Sequence, residues 1–175
     1  MIMKILFICT DNYCRSVTAE YCLRDYLVKN NIKGVEVSSA GIDANSDTTG
    51  YSFAHFEEMK KWGIDATGHH RRQVTEELLK DADFVIIFDF KQKDFFDKYF
   101  INKVILFNEL YLGEEKALNF KSPEFLGRPD EEATFVARYI HDAIPKVWSK
   151  ILSDEEKIKK FQHHNHTGGI WTQVR

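Results

Sequence analysis

A chain of 175 residues, 43% hydrophobic and 29% charged, has the size and composition of one globular domain with a single core. It contains no run of about 18 apolar residues that could span a membrane, and its net charge of −3 gives no basic face for nucleic acid. Because the start at Met1 lacks a signal-peptide pattern, we expect a cytoplasmic protein without a membrane or nucleic-acid partner.

Apolar spacing predicts alternating strands and helices along the first hundred residues. The continuous apolar run at 2–8 suits a strand that is buried on both faces of a sheet. Apolar residues at helical spacing from Ala19 predict a first helix that ends near Val28. The further predictions in this part are strands over 35–39 and 83–88 and helices over 51–62 and 91–98.

The second part of the chain continues the alternation. It predicts a fourth strand over 104–107 and a last helix over 131–151, in which Pro145 should introduce a kink or a break. We expect a domain over 1–152 followed by a polar, His-rich tail over 153–175. Strands alternating with helices predict a single α/β domain with a central parallel four-stranded sheet flanked by helices on both faces.

The loop between the first strand and the first helix carries the strongest chemical signal. Ligands of open parallel sheets bind at the carboxyl ends of strands, and residues 9–16 follow the first strand directly. Backbone N–H groups and a helix N-terminus can surround an oxyanion there, while Arg15 can hold two phosphate oxygens in a fork. Cys9 is expected to be held as a thiolate, with Ser16 donating a hydrogen bond to it.

This arrangement predicts nucleophilic catalysis on a phosphate ester. The thiolate of Cys9 would attack phosphorus, and water would then hydrolyse the phosphocysteine, without a metal or a cofactor. Cysteine, five residues and arginine form a weak signal alone, but here the pattern follows a buried strand and opens an amphipathic helix. The alternative, in which Cys9 is a small core residue and Arg15 a surface charge, explains neither the position nor the spacing.

The segment ILFICTDNYCRSVTAE resembles the nucleophile loop of the low-molecular-weight protein tyrosine phosphatases. The resemblance covers about residues 1–110, at Ser38-Ser39-Ala40-Gly41, Gly63-Ile64-Asp65, His69, Arg72-Gln73, Asp81-Ala82-Asp83 and Asp89. It implies that Cys9 is the nucleophile and Arg15 the phosphate ligand. The phosphate-binding loop would then comprise Thr10, Asp11, Asn12, Tyr13, Cys14, Arg15 and Ser16.

The resemblance also implies supporting roles. Asn12, with Ser16, would hold the loop in shape, since asparagine tolerates left-handed backbone. His69 would be a buried structural histidine beneath the loop. Cys14 would be able to form a disulfide with Cys9 on oxidation.

Four positions depart from the family pattern around the pocket. Asp11 replaces a usual glycine and brings negative charge near the phosphate site, Val17 replaces a proline, and the bulky Tyr13 is expected to influence which phosphorylated side chain fits. Residues 42–45 lack the usual aromatic wall, and we assign the nearby Tyr51 to the next helix.

The general acid is the gravest departure. The family supplies an aspartate, followed by proline, from a loop before the last helix, and such an acid contributes about 10²–10⁴-fold in rate. The corresponding residues 121–130, KSPEFLGRPD, contain no Asp-Pro. Glu124 is the first candidate; Asp130 is the second, although it is more typical of a helix N-terminal carboxylate. A third possibility is that neither acts.

The predicted function is hydrolysis of phosphomonoesters, with protein phosphotyrosine or a small aryl phosphate as substrate. One alternative is a catalytically weak phosphate- or phosphotyrosine-binding protein, which Asp11 and the missing Asp-Pro would favour. Another is an arsenate reductase. Its thioredoxin-linked form is disfavoured because no cysteine follows Cys22, whereas a glutathione-assisted form stays open. The sequence does not indicate the oligomeric state.

Overall fold

The computed structural model describes residues 1–97 and 104–166, with the side chains of residues 97 and 157–166 left out. Its centre is a four-stranded sheet in the order β2-β1-β3-β4. All three strand pairs are parallel, so the predicted sheet is confirmed. The strands are β1 (Met3–Cys9), β2 (Val35–Gly41), β3 (Phe84–Ile87) and β4 (Val104–Leu106).

The helices that connect and cover these strands include two that were not predicted, α3 and α5, each of six residues. A short 3-10 turn, Pro123–Phe125, precedes the last helix. The helices are α1 (Arg15–Lys29), α2 (Ala54–Lys61), α3 (Glu76–Asp81), α4 (Phe90–Asp97), α5 (Phe107–Leu112) and α6 (Pro129–His166).

Strand β1 separates the two halves of the core because its side chains alternate between the faces of the sheet. Ile5 and Phe7 join a cluster with residues of α1, α2, α5 and α6. Leu6 and Ile8 join a second cluster that includes Leu79 of α3 and Phe96 of α4. Helices therefore cover both faces, as predicted, and β1 is buried from both sides.

Of the two outcomes predicted at Pro145, the break is wrong, because α6 is a single helix of 38 residues that includes this proline, and the kink stays a prediction. A proline in a helix interior removes one backbone hydrogen bond. Here the apolar stripe on both sides of it stays fully in the core, with Ile140, Ile144 and Val147 at most 2% exposed. Burial of this stripe holds the helix together across the proline.

The helical backbone continues beyond the predicted domain end at residue 152 to His166. The division into a domain and a polar tail stays a prediction. The side chains of His163, His164 and His166 and the whole of residues 167–175 lie outside the described residues. None of the described helices combines the length and the apolar character of a membrane span.

Candidate active site

The loop of residues 10–14 connects the end of β1 to the start of α1 at the carboxyl edge of the sheet. Cys9, the last residue of β1, pairs with Gly41, the last residue of β2. A Cβ atom at Gly41 would lie 2.6 Å from the carbonyl oxygen of Thr10 and 2.8 Å from the backbone nitrogen of Asn12. The loop therefore packs its backbone directly on β2, and only glycine leaves room for it.

Asn12 organises the loop from its centre. Its backbone is left-handed, with φ of 50°, and its side chain is fully buried. The Oδ1 atom accepts hydrogen bonds from the backbone N–H of Arg72 at 2.8 Å and from Nε2 of His69 at 3.1 Å. The Nδ2 group donates to the hydroxyls of Ser16 at 3.0 Å and Ser39 at 2.9 Å. One side chain thus links the loop to α1, β2 and the segment at 69–72.

The thiol of Cys9 lies 3.0 Å from the hydroxyl oxygen of Ser16. Because that oxygen already accepts a hydrogen bond from Asn12, its own proton is free to point at the Cys9 sulfur. Ser39 has the same arrangement, since it accepts from Asn12 and donates to the carboxylate of Glu20. A hydrogen bond donated by Ser16 in this arrangement stabilises a thiolate at Cys9.

Arg15 is held rigidly at the first turn of α1. Its Nη1 group donates to the carboxylate of Asp89 at 2.6 Å and to the carbonyl oxygen of Leu118 at 2.9 Å. The guanidinium lies 5.5 Å from the ring centre of Phe120 and 6.0 Å from that of Phe88. Among the described residues nothing accepts from its Nε or Nη2 groups, so these donors are available to an oxyanion.

Gln92, which the motif did not indicate, connects Asp89 to the loop. Its Nε2 group donates to the Asp89 carboxylate at 3.2 Å and to the Thr10 hydroxyl at 3.4 Å. Its side-chain oxygen accepts from the backbone N–H of Phe88 at 2.8 Å. The Arg15–Asp89 pair is thus positioned by a buried amide as well as by its own contacts.

A cavity of about 390 Å³ opens above the loop and contains the predicted nucleophile on its lining. From the loop, it is lined by Cys9, Thr10, Asp11, Tyr13, Cys14 and Arg15. Asn12 and Ser16 lie beneath this surface and are fully buried. The opposite side is formed by aromatic side chains, by Lys91 and Lys121, and by the first turn of α6.

Both the sequence and the fold of this chain are similar to those of known phosphatases. The sequence model of the low molecular weight phosphotyrosine protein phosphatases matches residues 4–162. The chain belongs to this family. A low molecular weight protein tyrosine phosphatase structure from T. tengcongensis is 30% identical, with a TM-score of 0.70 over 85% of this chain and 99% of the other.

Curated relatives match over a shorter part. The low molecular weight protein-tyrosine-phosphatase Ptp of Acinetobacter johnsonii is 36% identical over 92 residues, which is 51% of this chain. A protein-arginine-phosphatase of Bacillus subtilis is 33% identical over 91 residues, or 52% of this chain. In both cases the match spans 59% of the relative's length.

The structure explains how this phosphatase-family loop accommodates Asp11. The Asp11 carboxylate accepts a hydrogen bond of 2.5 Å from the Ser46 hydroxyl. Arg71 donates to the Asp11 carbonyl oxygen at 2.9 Å and to the Ser46 hydroxyl at 2.7 Å. The Arg71 guanidinium is therefore linked to the Asp11 carboxylate through the shared Ser46 hydroxyl, and at that distance it partly offsets the added negative charge.

The assignment of Tyr51 to a helix is wrong, because α2 begins only at Ala54. Tyr51 lies in the preceding loop, lines the cavity and packs edge-to-face on Tyr13 with ring centres 5.6 Å apart. A loop thus supplies the aromatic wall that residues 42–45 lack. The two residues are far apart in the chain, and no sequence pattern predicts that a loop brings them together.

The structure does not bring the two predicted acids to the cavity. Glu124 is exposed and accepts a hydrogen bond of 3.1 Å from the Ser122 hydroxyl. Asp130 is also exposed, accepts from the Ser52 hydroxyl at 2.6 Å and borders a neighbouring hollow. Besides Asp11 of the loop, the carboxylate that lines the cavity is Glu132 of α6. The sequence spacing does indicate this position, because Glu132 lies one helical turn before Val136 on the buried stripe of α6.

The cysteines beside the nucleophile are free thiols in the structure. Burial raises the pKa of the Cys14 thiol well above its usual range and that of Cys22 to about 12. Both are therefore held neutral and poorly nucleophilic. The Cys9–Cys14 disulfide under oxidation stays a prediction.

Two histidines support the loop in neutral form. His69 donates to Asn12, and burial lowers its pKa to about 4. His55, which the motif did not indicate, is fully buried and donates from Nε2 to the carbonyl oxygen of Tyr13 at 2.9 Å. Burial lowers the pKa of His55 to about 4 as well. Each histidine must gain a proton when the protein unfolds in mild acid.

We expect the free energy of unfolding to fall between pH 6.5 and pH 5 because of His55. Its folded pKa of about 4 lies below the ordinary 6.5, so its contribution is complete above pH 6.5 and is lost as the pH falls towards 4. The expected loss at pH 5 is about 2 kcal/mol. Urea unfolding of wild type and His55→Gln would measure it, since glutamine keeps an N–H donor but does not titrate.

His55 gives a cleaner test than His69. Glu20 lies 3.9 Å from His69, and burial raises the pKa of Glu20, so the two groups change stability with pH in opposite directions. An identical pH dependence in wild type and His55→Gln would contradict the prediction. A smaller dependence in the variant would support it.

Proposed function

We propose that this protein is a cysteine-dependent phosphatase that hydrolyses phosphomonoesters, with protein phosphotyrosine as substrate. The observation that carries the proposal is the position of Cys9 on the cavity lining, with its sulfur 3.0 Å from the Ser16 hydroxyl. Arg15 lines the same cavity with donors available. A nucleophile, an oxyanion site and room for a substrate therefore occur together.

The chemistry has two steps. The Cys9 thiolate attacks phosphorus, the bond to the leaving oxygen breaks, and that oxygen takes a proton from a carboxyl group. Water then attacks the phosphocysteine and gives a proton to the carboxylate, and the electron pair of the broken P–S bond returns to the thiolate. The loop N–H groups and Arg15 stabilise the phosphoryl oxygens in both steps.

The walls of the cavity favour an aryl phosphate. Tyr13, Tyr51 and Phe120 line it, and a phenyl ring can pack against such side chains edge-to-face or offset. Lys91 and Lys121 are exposed at the same cavity and would favour acidic residues beside the phosphotyrosine. The three free cysteines fit a reducing compartment, and we propose the cytoplasm.

The proposal is tested by hydrolysis of p-nitrophenyl phosphate and of matched phosphotyrosine, phosphoserine and phosphoarginine peptides in the presence of EDTA. We expect turnover that is inhibited competitively by vanadate, with phosphotyrosine preferred. Vanadate binding without turnover of any substrate would instead favour a phosphate-binding protein, which the missing Asp-Pro motivates. Arsenate-dependent oxidation of glutathione would favour the reductase.

A further inference from the structure

The carboxylates in the first turn of α6 lie on two different faces of the helix. Pro129, Glu132 and Ala133 line the cavity above Cys9, as the spacing i, i+3, i+4 of one helix face requires. Asp130 and Glu131 border the neighbouring hollow instead. Glu132 is only 7% exposed, which is unusual for a glutamate without a cationic partner.

The carboxylate of Glu132 is held by the loop that carries the acid in other family members. Its Oε1 atom accepts a hydrogen bond of 2.8 Å from the backbone N–H of Ser122. Ser122 precedes Pro123, whereas the acid of the family is an aspartate that precedes a proline. In the part of the chain that the structure describes, nothing donates to Oε2 and no cation pairs with Glu132. The second oxygen is therefore available to a substrate.

We propose that Glu132 is the general acid of this protein, supplied from α6 rather than from the preceding loop. The inference rests on the proposed phosphatase function. When the P–O bond breaks, the proton of the Glu132 carboxyl moves to the leaving oxygen, and the electron pair of that bond stays on the oxygen. In the second step the Glu132 carboxylate takes a proton from the attacking water and returns to its acid form.

The surroundings of Glu132 suit this role. The Ser122 N–H fixes one carboxyl oxygen and thereby orients the other. The cations that share its cavity are Arg15, which is paired with Asp89, and the exposed Lys91 and Lys121. Glu124 instead faces the Ser122 hydroxyl outside the cavity. The backbone that carries the serine thus positions a carboxylate from ten residues further along the chain.

Leaving-group dependence tests the proposal. We expect Glu132→Gln to lower kcat/KM for phenyl phosphate, which reports the step that expels the leaving group, about 10²–10³-fold. With 2,4-dinitrophenyl phosphate the loss of kcat/KM should be less than about 10-fold, since that phenolate departs without a proton. Glu131→Gln is the matched control, because it makes the same change in the same helical turn on the other face, and it should behave as wild type.

The outcomes distinguish a wrong role for Glu132 from the absence of phosphatase activity in the protein. Equal losses of kcat/KM with both esters would assign Glu132 a structural role and overturn the proposal. A leaving-group-dependent loss in Glu124→Gln, with Glu132→Gln unaffected, would overturn it in favour of Glu124. Vanadate binding checks that Glu132→Gln is folded. If it is not, Glu132→Asp must show the same selective loss for phenyl phosphate. A wild type that hydrolyses neither ester contradicts the phosphatase function itself.

Discussion

Replacing Cys9 by serine is expected to lower kcat for p-nitrophenyl phosphate by about 10⁴–10⁶-fold. A serine hydroxyl stays protonated at neutral pH, so the variant lacks the anionic nucleophile that a thiolate provides. The hydroxyl of Ser16, 3.0 Å from the sulfur in the wild type, is not a base that could remove that proton. Vanadate should still bind, since the loop N–H groups and Arg15 are unchanged.

Cys22→Ser is the matched control for this experiment. Cys22 lies on α1, is 2% exposed and belongs to the core rather than to the cavity lining. The same change there should leave turnover at the wild-type level. Full turnover in Cys9→Ser, measured on protein free of contaminating phosphatase, would contradict the assignment of the nucleophile. An equal loss in both variants would point to a general packing effect.

Replacing Arg15 by lysine is expected to lower kcat/KM by about 10³-fold. The guanidinium binds Asp89 and Leu118 through Nη1 and still offers further donors in one plane. An ammonium carries its three donors on one nitrogen, so it cannot bind the Asp89 carboxylate on one side and two phosphoryl oxygens in a planar fork on the other. Lysine also fills less of the space between the rings of Phe88 and Phe120.

Steady-state kinetics with p-nitrophenyl phosphate, together with vanadate affinity, would measure the effect. Both kcat/KM and vanadate binding should weaken, because the lost contacts are to the oxyanion. Arg138→Lys is the control, since the exposed Arg138 pairs with the buried Glu58 at 2.6 Å and does not line the cavity. Unchanged kinetics in Arg15→Lys would show that Arg15 serves the structure through Asp89 and does not hold phosphate.

Local pattern was sufficient to predict the part of the fold that carries the site. An apolar run, a loop with a left-handed asparagine and an amphipathic helix follow one another within 29 residues, and each is determined mainly by near neighbours in sequence. Helices α3 and α5 escaped prediction because six residues are too few to show a helical period. The predicted break at Pro145 failed for the opposite reason, since burial of a long apolar stripe outweighed one lost hydrogen bond.

The cavity was harder to predict than the loop because its other walls come from distant segments. Tyr51 packs against Tyr13 because of the course of a loop, and a loop has no periodic sequence pattern from which its course could be predicted. The acid was sought where the family has it in sequence, near Pro123. The structure instead places a carboxylate there from the next helix. The helical spacing of α6 places Glu132 on the same face as the buried Val136. That position would have indicated Glu132 as a candidate acid.

The contacts of Asn12 limit how far this catalytic loop can be transplanted. Its conformation depends on three residues from two other parts of the chain, Ser39 of β2 and His69 and Arg72 of the 69–72 segment, and on the absence of a side chain at Gly41. A peptide of residues 9–16, or the same eight residues grafted onto another strand–helix junction, would lack all of them. The motif is therefore not a portable unit. An engineer who wants this chemistry in a new scaffold must move the neighbouring strand end and the 69–72 segment with it.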